Sequence, residues 1–324
     1  MESWRKIQKK NFTKLADLLS FLELENTSDL LTKKPSFVLN VPLRLAEKMK
    51  KKDVKDPLFR QFVPLKEEQE ITEGFKENPT DDPNFQLTPK LLQKYSGRAL
   101  LLPTSACAMH CRYCFRQNFP YEKKTSLEKE LEALKKDPTL QEVILSGGDP
   151  LSLGNEQLKK LLEELDTISH IKLIRFHSRF LIGIPERIDT EFLQILRACS
   201  KQITFVIHSN HPKELDLSVE RSLKKIAKLG IPLLCQTVLL KGVNDKLNVL
   251  ENLIFRLLEM GVIPYYLHQL DPIQGGKHFE VEKSEGLQLI KELRKRVPGY
   301  GLFRFVQELP GKSSKTEVTS GQPS

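Results

Sequence analysis

The sequence predicts an α/β fold: a parallel sheet of six strands joined by helices and curled into a barrel or part of one. Three observations predict it. From Arg98 onward, six short apolar runs recur, each followed by a polar or glycine-bearing turn. The stretches between them carry helical periodicity. The residues able to do chemistry gather just after the runs, where parallel α/β folds build their sites. Continuous apolar strands alternating with helices argue for a parallel sheet buried on both faces. Right-handed crossovers would curl such a series. A doubly wound open sheet fits the same pattern and also puts ligands at strand ends.

Residues 1–90 read as a mostly helical N-terminal region. Trp4, Ile7, Phe12, Leu15, Leu18, Leu19 and Leu22 recur at helical spacing. Proline-bearing pieces at 56–64 and 78–83 then read as short helices joined by turns. Spacing alone shows no chemistry there. Residues 91–300 form the core. Its first run, 99–102, leads into a cysteine loop. The run 143–145 precedes Gly147, Gly148 and Asp149. The run 171–176 precedes His177 and Arg179, and 203–207 precedes His208 and Asn210. The runs 232–240 and 265–267 precede Asn244 and Asp271. Leu158, Leu161, Leu162 and Leu165 mark one intervening helix. This order sets the cysteines, Asp149, Arg179, His208 and Asp271 around one mouth. Residues 301–324 form a C-terminal segment and tail.

Cys107, Cys111 and Cys114 are spaced C-x3-C-x2-C, with Tyr113 before the last. Three thiolates can hold three irons of a cubane cluster and leave the fourth open to a small molecule. A structural zinc normally takes four ligands. Cys199 and Cys235 lie far off in apolar segments, and His110 between two cysteines would need awkward geometry. Three close cysteines also leave one over for any disulfide.

The chain has 324 residues and a formal charge of +9. No apolar run is long enough to span a membrane. The charged N-terminus lacks a signal-peptide core, so the expected location is the cytoplasm. Lys48, Lys50, Lys51, Lys52 and Lys55 cluster without interleaved aromatic residues, which favours a solvated helix end over a nucleic-acid patch. No nucleic-acid or membrane partner is expected.

The cysteine loop resembles that of the radical S-adenosylmethionine superfamily. Residues 95–315 are more specifically similar to the lysine 2,3-aminomutase family. The closest pattern is its short branch, the EpmB or YjeK type, which acts with translation elongation factor P. The carrying segments are 95–104, the cysteine loop through Arg116, 145–150, 175–179 with 184–188, 208–212, 236–245 and 265–271. The resemblance implies a partial (βα)6 TIM-like barrel with a helical N-terminal extension and a short C-terminal tail that binds pyridoxal phosphate. It implies a [4Fe-4S] cluster on the three cysteines, S-adenosylmethionine and pyridoxal 5′-phosphate.

Position by position, Lys315 matches the lysine that carries pyridoxal phosphate. Arg98 and Tyr95 match residues that hold its phosphate and ring. Lys94 stands where larger members have arginine, which keeps the charge and loses the fork. Gly147, Gly148 and Asp149 match the motif for the amino group of S-adenosylmethionine, and His208 and Gln236 match further contacts to it. Arg116 matches the receptor of the substrate carboxylate. Asp271 and Glu308, seven residues before Lys315, match the acids that hold a side-chain ammonium. The zinc-binding cysteines of larger members are absent, and the glycine run before the lysine is reduced to 311–314.

The resemblance thus implies isomerisation of L-α-lysine to β-lysine, a cellular one-electron reductant, and a link to elongation factor P and its lysyl ligase. The alternatives are an aminomutase for another amino acid, or a non-catalytic iron–sulfur protein that binds nucleic acid or a translation factor. Oligomeric state stays open, a homo-oligomer included.

Overall fold

The computed structural model describes residues 2–24, 30–32, 35, 37–122 and 126–320. Four short helices open the chain: α1 (Trp4–Gln8), α2 (Leu15–Phe21), α3 (Leu43–Lys48) and α4 (Pro57–Phe62). Asp56 starts α4 by accepting from Leu58 N and Phe59 N, with Pro57 in the first turn. These helices share the main core. Trp4, Leu18, Leu45, Phe59 and Phe62 are buried in it, and Trp4 meets Phe180 edge-on at 5.4 Å. The lysine cluster is partly paired: Lys48 reaches Asp216 at 2.8 Å and Lys51 reaches Glu23 at 2.6 Å.

One sheet follows, with its strands in chain order: β1 (Gln86–Thr88), β2 (Leu91–Tyr95), β3 (Arg98–Thr104), β4 (Glu142–Gly147), β5 (Leu173–Ser178), β6 (Gln202–His208), β7 (Leu233–Val238), β8 (Ile263–His268), β9 (Arg304–Gln307) and β10 (Thr316–Glu317). Neighbours from β3 to β9 are parallel, while β1–β2–β3 and β9–β10 are antiparallel. Helices α5 (Glu128–Lys136), α6 (Asn155–Asp166), α7 (Phe180–Gly183), α8 (Thr190–Ala198), α9 (Leu217–Ala227), α10 (Leu247–Glu259) and α11 (Lys283–Leu293) fill the crossovers. A doubly wound sheet would reverse its strand order at a switch point. Here the order follows the chain throughout, so the winding is of the barrel kind, left open between β1 and β10.

All six apolar runs are strands. Two features differ from the sequence reading. The sheet extends past both drawn boundaries, because β1 lies before residue 91 and β9 and β10 lie after residue 300. These edge strands are short and mixed, and register with a neighbour rather than apolarity makes them strands. The core strands are also not buried evenly on both faces. Along β5 and β7, fully buried residues alternate with partly open ones. The outward face packs on the helices, where Phe176 stacks on Phe205 at 5.0 Å. The inward face, with Arg175, His177 and Gln236, lines the barrel.

Candidate active site

The cysteine loop leaves the C-terminal end of β3 and is cradled by the N-terminal region. Asn11 donates to Ala108 O at 2.7 Å, and Asn40 to Cys107 O at 3.3 Å. Arg112 N donates to Gln61 O, and the Arg112 guanidinium pairs with Glu68 and bonds Phe37 O. This is the role of the extension that spacing did not reveal. His110 turns away, bonding Val38 O at 2.8 Å and stacking on Phe37 at 4.5 Å, so it is engaged elsewhere. Burial, then neighbouring charges including the other thiols, pushes the Cys107 thiol up. Burial, then Cys111, pushes Cys114 up to about 11. Cys107 and Cys114 thus both feel the charge of neighbouring thiols, which sets the three cysteines near one another. Among the described residues no group of three His, Cys, Asp or Glu converges on a single ion.

Behind the loop, Arg179 donates to Cys111 Sγ at 3.0 Å, to Gln61 Oε1 at 2.8 Å and to Glu214 at 2.9 Å, and also bonds the Tyr113 hydroxyl. Asn210 Nδ2 donates to that hydroxyl at 2.6 Å. Tyr113 is thus clamped between the cysteines and the ends of β5 and β6.

The glycine turn after β4 is shaped by the same loop. A Cβ on Gly148 would stand 2.4 Å from Ala106 O, and one on Gly147 2.7 Å from Thr104 O. Gly147 also has φ +107°, which side chains rarely adopt. Gly148 N donates to Thr104 O, and Asp149 N to Ala106 O. Those donors are spent, so the turn can offer carbonyl oxygens, which suit an ammonium. The Asp149 carboxylate accepts from Leu151 N, Ser178 Oγ, Arg179 N and Phe180 N. It orders the turn and the start of α7. Burial still moves it up to about 6.

Inside the barrel, register places His208 beside Gln236, and Gln236 beside Tyr266. Burial, followed by Arg179, drops His208 to about 3, so it is neutral. His177, ring to ring with His208 at 5.4 Å, and His268 are also held well below the usual range by burial. His177 Nε2, His268 Nε2 and Gln236 Oε1 are buried without a partner. Unpartnered buried polar atoms are costly, and a polar ligand bound among these strand ends would satisfy them. Motif reading gave roles to His208 and Gln236 and none to His177 and His268, which lay within the matched segments. The signal that could have found them was a histidine at the end of an apolar strand.

At the mouth, the hairpin of β9 and β10 sets Lys315. Thr316 pairs with Gln307 and Glu317 with Val306, so the register continues to Lys315 opposite Glu308. Lys315 Nζ meets Glu308 Oε2 at 2.6 Å, and the Tyr95 hydroxyl donates to Glu308 Oε1 at 2.6 Å. This register is the physical content of the seven-residue spacing. Burial would raise the Glu308 carboxyl, but Lys315 holds it below the usual range. Asp271 is pushed up to about 7 by burial, against the pull of Lys315. Arg98 lies over the Tyr95 ring at 4.8 Å with its Nε unpartnered. Arg116 Nε donates to Asp82 Oδ2 at 2.6 Å, and Lys94 Nζ meets Asp82 Oδ1 at 2.6 Å. Burial would raise Asp82, but Arg116 and Lys94 bring it down to about 2. Nothing in the sequence singled out Asp82.

Residues 101–253 match the model of the radical SAM superfamily. The L-lysine 2,3-aminomutase of Escherichia coli (strain K12) is 40% identical over 309 residues, covering 93% of this chain and 90% of that protein. The L-lysine 2,3-aminomutase of Haemophilus influenzae is 35% identical over 321 residues, covering 97% and 95%. The chain belongs to the L-lysine 2,3-aminomutase family. The crystal structure of Streptococcus suis SuiB bound to precursor peptide SuiA has a TM-score of 0.50 at 15% identity, over 68% of this chain and 50% of that one. That likeness bears out the partial-barrel fold.

As a member of this isomerase family, the chain is a radical SAM enzyme, and a four-iron cluster and S-adenosylmethionine come with that superfamily. Pyridoxal phosphate is characteristic of lysine 2,3-aminomutases. The residues present fit all three groups. The thiols lie near one another on the loop after β3, and His177 Nε2, His268 Nε2 and Gln236 Oε1 are polar atoms that a polar ligand would satisfy. Lys315 and Tyr95 share Glu308, and Arg98 lies over the Tyr95 ring with its Nε unpartnered, a lysine and a guanidinium linked through one tyrosine that suit an aldehyde cofactor bearing a phosphate.

Proposed function

We propose that this enzyme converts L-lysine to β-lysine, and that the β-lysine serves modification of elongation factor P. The observation that carries the reading is the ion pair of Glu308 with the Lys315 ammonium at 2.6 Å, with Asp271 near enough to feel the same charge. Two acids suited to one ε-ammonium favour a diamino acid over glutamate or alanine. Arg116 stands ready for the carboxylate at the other end. Both ends of lysine would then be fixed, which aims its β-carbon at one place.

Cys107, Cys111 and Cys114 would hold the cluster. Gly147, Gly148, His208 and Gln236 would bind S-adenosylmethionine, with Asp149 ordering the turn. Lys315, Arg98 and Tyr95 would hold pyridoxal phosphate. When bound, these groups supply a hydrogen-abstracting radical and a conjugated system across which an amino nitrogen can move. The protein's own part is orientation. Arg116 binds the carboxylate, while Asp271 and Glu308 hold the ammonium. The neutral histidines line the barrel without adding charge. Lys315 must leave Glu308 before the substrate ammonium takes its place.

Anaerobic incubation with lysine, S-adenosylmethionine and a one-electron reductant, followed by product identification, tests the reading. β-Lysine is the expected product, and a preference for glutamate or alanine would overturn it. The link to elongation factor P is tested by the mass of that factor in cells with and without this gene.

A further inference from the structure

The N-terminal region contributes one buried acid to the mouth. Asp82 opens the 3-10 turn Asp82–Phe85 and is only 2% exposed. Its Oδ1 accepts from Thr80 Oγ1 at 2.9 Å and meets Lys94 Nζ at 2.6 Å, while Oδ2 accepts from Arg116 Nε at 2.6 Å. With both oxygens anchored, the carboxylate has no freedom to turn. Lys94 continues to Glu308 at 3.8 Å, and Glu308 to Lys315. Charges thus alternate from Arg116 through Asp82, Lys94 and Glu308 to Lys315.

The bond to Nε holds the guanidinium by its inner side. The two terminal nitrogens, which can grip a carboxylate bidentately, are left clear of Asp82. One of them makes a long contact of 3.4 Å with Ser146 Oγ. We propose that Asp82 is a positioning residue for substrate recognition, holding Arg116 so that its terminal nitrogens face the substrate carboxylate. The inference rests on the lysine reading above. Without this anchor the guanidinium can swing on its long stem, and carboxylate recognition must then meet the ordering cost that Asp82 now removes.

The test uses the holoenzyme, loaded with cluster and pyridoxal phosphate and kept without reductant. Binding of lysine and of lysinamide is measured by calorimetry. Lysinamide keeps both amino groups and lacks the carboxylate. Asp82→Ala should weaken lysine about 10- to 100-fold while lysinamide changes less than about 3-fold, the effect of losing a charged hydrogen bond. Asp82→Asn keeps the shape and one acceptor for Arg116 Nε, so it should lose less of the preference for lysine than Asp82→Ala. It also decides the matter if the alanine variant fails to fold. Equal weakening of both ligands, or of neither, would overturn the proposal. Arg116→Ala separates the two levels. If it too keeps the preference for lysine over lysinamide, the carboxylate reading fails. If it abolishes the preference while the Asp82 variants keep it, only the positioning role fails.

Discussion

Replacing Asp271 by asparagine separates its cost to stability from its use to the site. Burial, countered by Lys315 and reinforced by Glu308, moves this carboxyl from 3.8 to about 7. Each decade is worth about 1.4 kcal/mol, so ionisation in the folded chain costs about 4 kcal/mol more than in the unfolded chain. A carboxyl raised on folding binds its proton more tightly in the folded state. Its contribution is therefore most favourable below the unfolded value, and stability is lost as pH climbs from about 4 towards 7. Asparagine has nearly the same shape and no such proton. Asp271→Asn should thus be more stable than the unsubstituted chain, by a margin that widens about 2–3 kcal/mol between pH 5 and pH 8.5. Urea unfolding of the cofactor-free chain at the two pH values measures it. The same variant should turn over lysine poorly, because a half-desolvated ammonium short of a partner costs about 2–5 kcal/mol. Cleavage of S-adenosylmethionine should continue. A margin that stays constant or narrows as pH rises would refute the reasoning.

Alanine at Cys107, Cys111 or Cys114 should abolish reductive cleavage of S-adenosylmethionine, and a triple variant still holding stoichiometric iron and sulfide would contradict the cluster assignment. Lys315→Ala should lose the borohydride-reducible link to pyridoxal phosphate and keep its iron; a label mapped to another lysine in the unsubstituted chain would contradict the assignment. Gly148→Ala forces a Cβ to within 2.4 Å of Ala106 O. It should displace the cysteine loop and lower both iron content and Tm, and normal values of both would show that the turn can give way.

The strands were legible because apolar runs are local. Val143 and Leu145 are buried whatever lies beside them, and their neighbours in sequence announce them. The cysteine loop was legible because its spacing lies within eight residues. Lys315 was legible only through family resemblance. Its place depends on the register of β10 against β9, which a polar segment does not declare. The lining of the barrel was half legible. Alternation along β5 and β7 arises because the inner face meets a lumen instead of a second layer, and continuous apolar runs gave no sign of that.

The N-terminal region shows why some of the site escapes sequence reading. Its contacts with the cysteine loop are side chain to backbone, as with Asn11 to Ala108 O and Asn40 to Cys107 O. Such bonds leave no motif, because they use a single residue at each end. Asp82 is the sharper case. It is one of two adjacent aspartates in a proline-bounded turn, and the carboxylate of Asp81, its neighbour, accepts from the exposed Asn84. What separates them is that Asp82 lies 34 residues from Arg116 in the chain and 2.6 Å from it in space. The antiparallel path of β2 against β3 brings Lys94 to the same carboxylate. The extension is thus part of the mouth as well as a cover for the barrel, and removing it should strip Arg116 and Lys94 of their shared counter-ion.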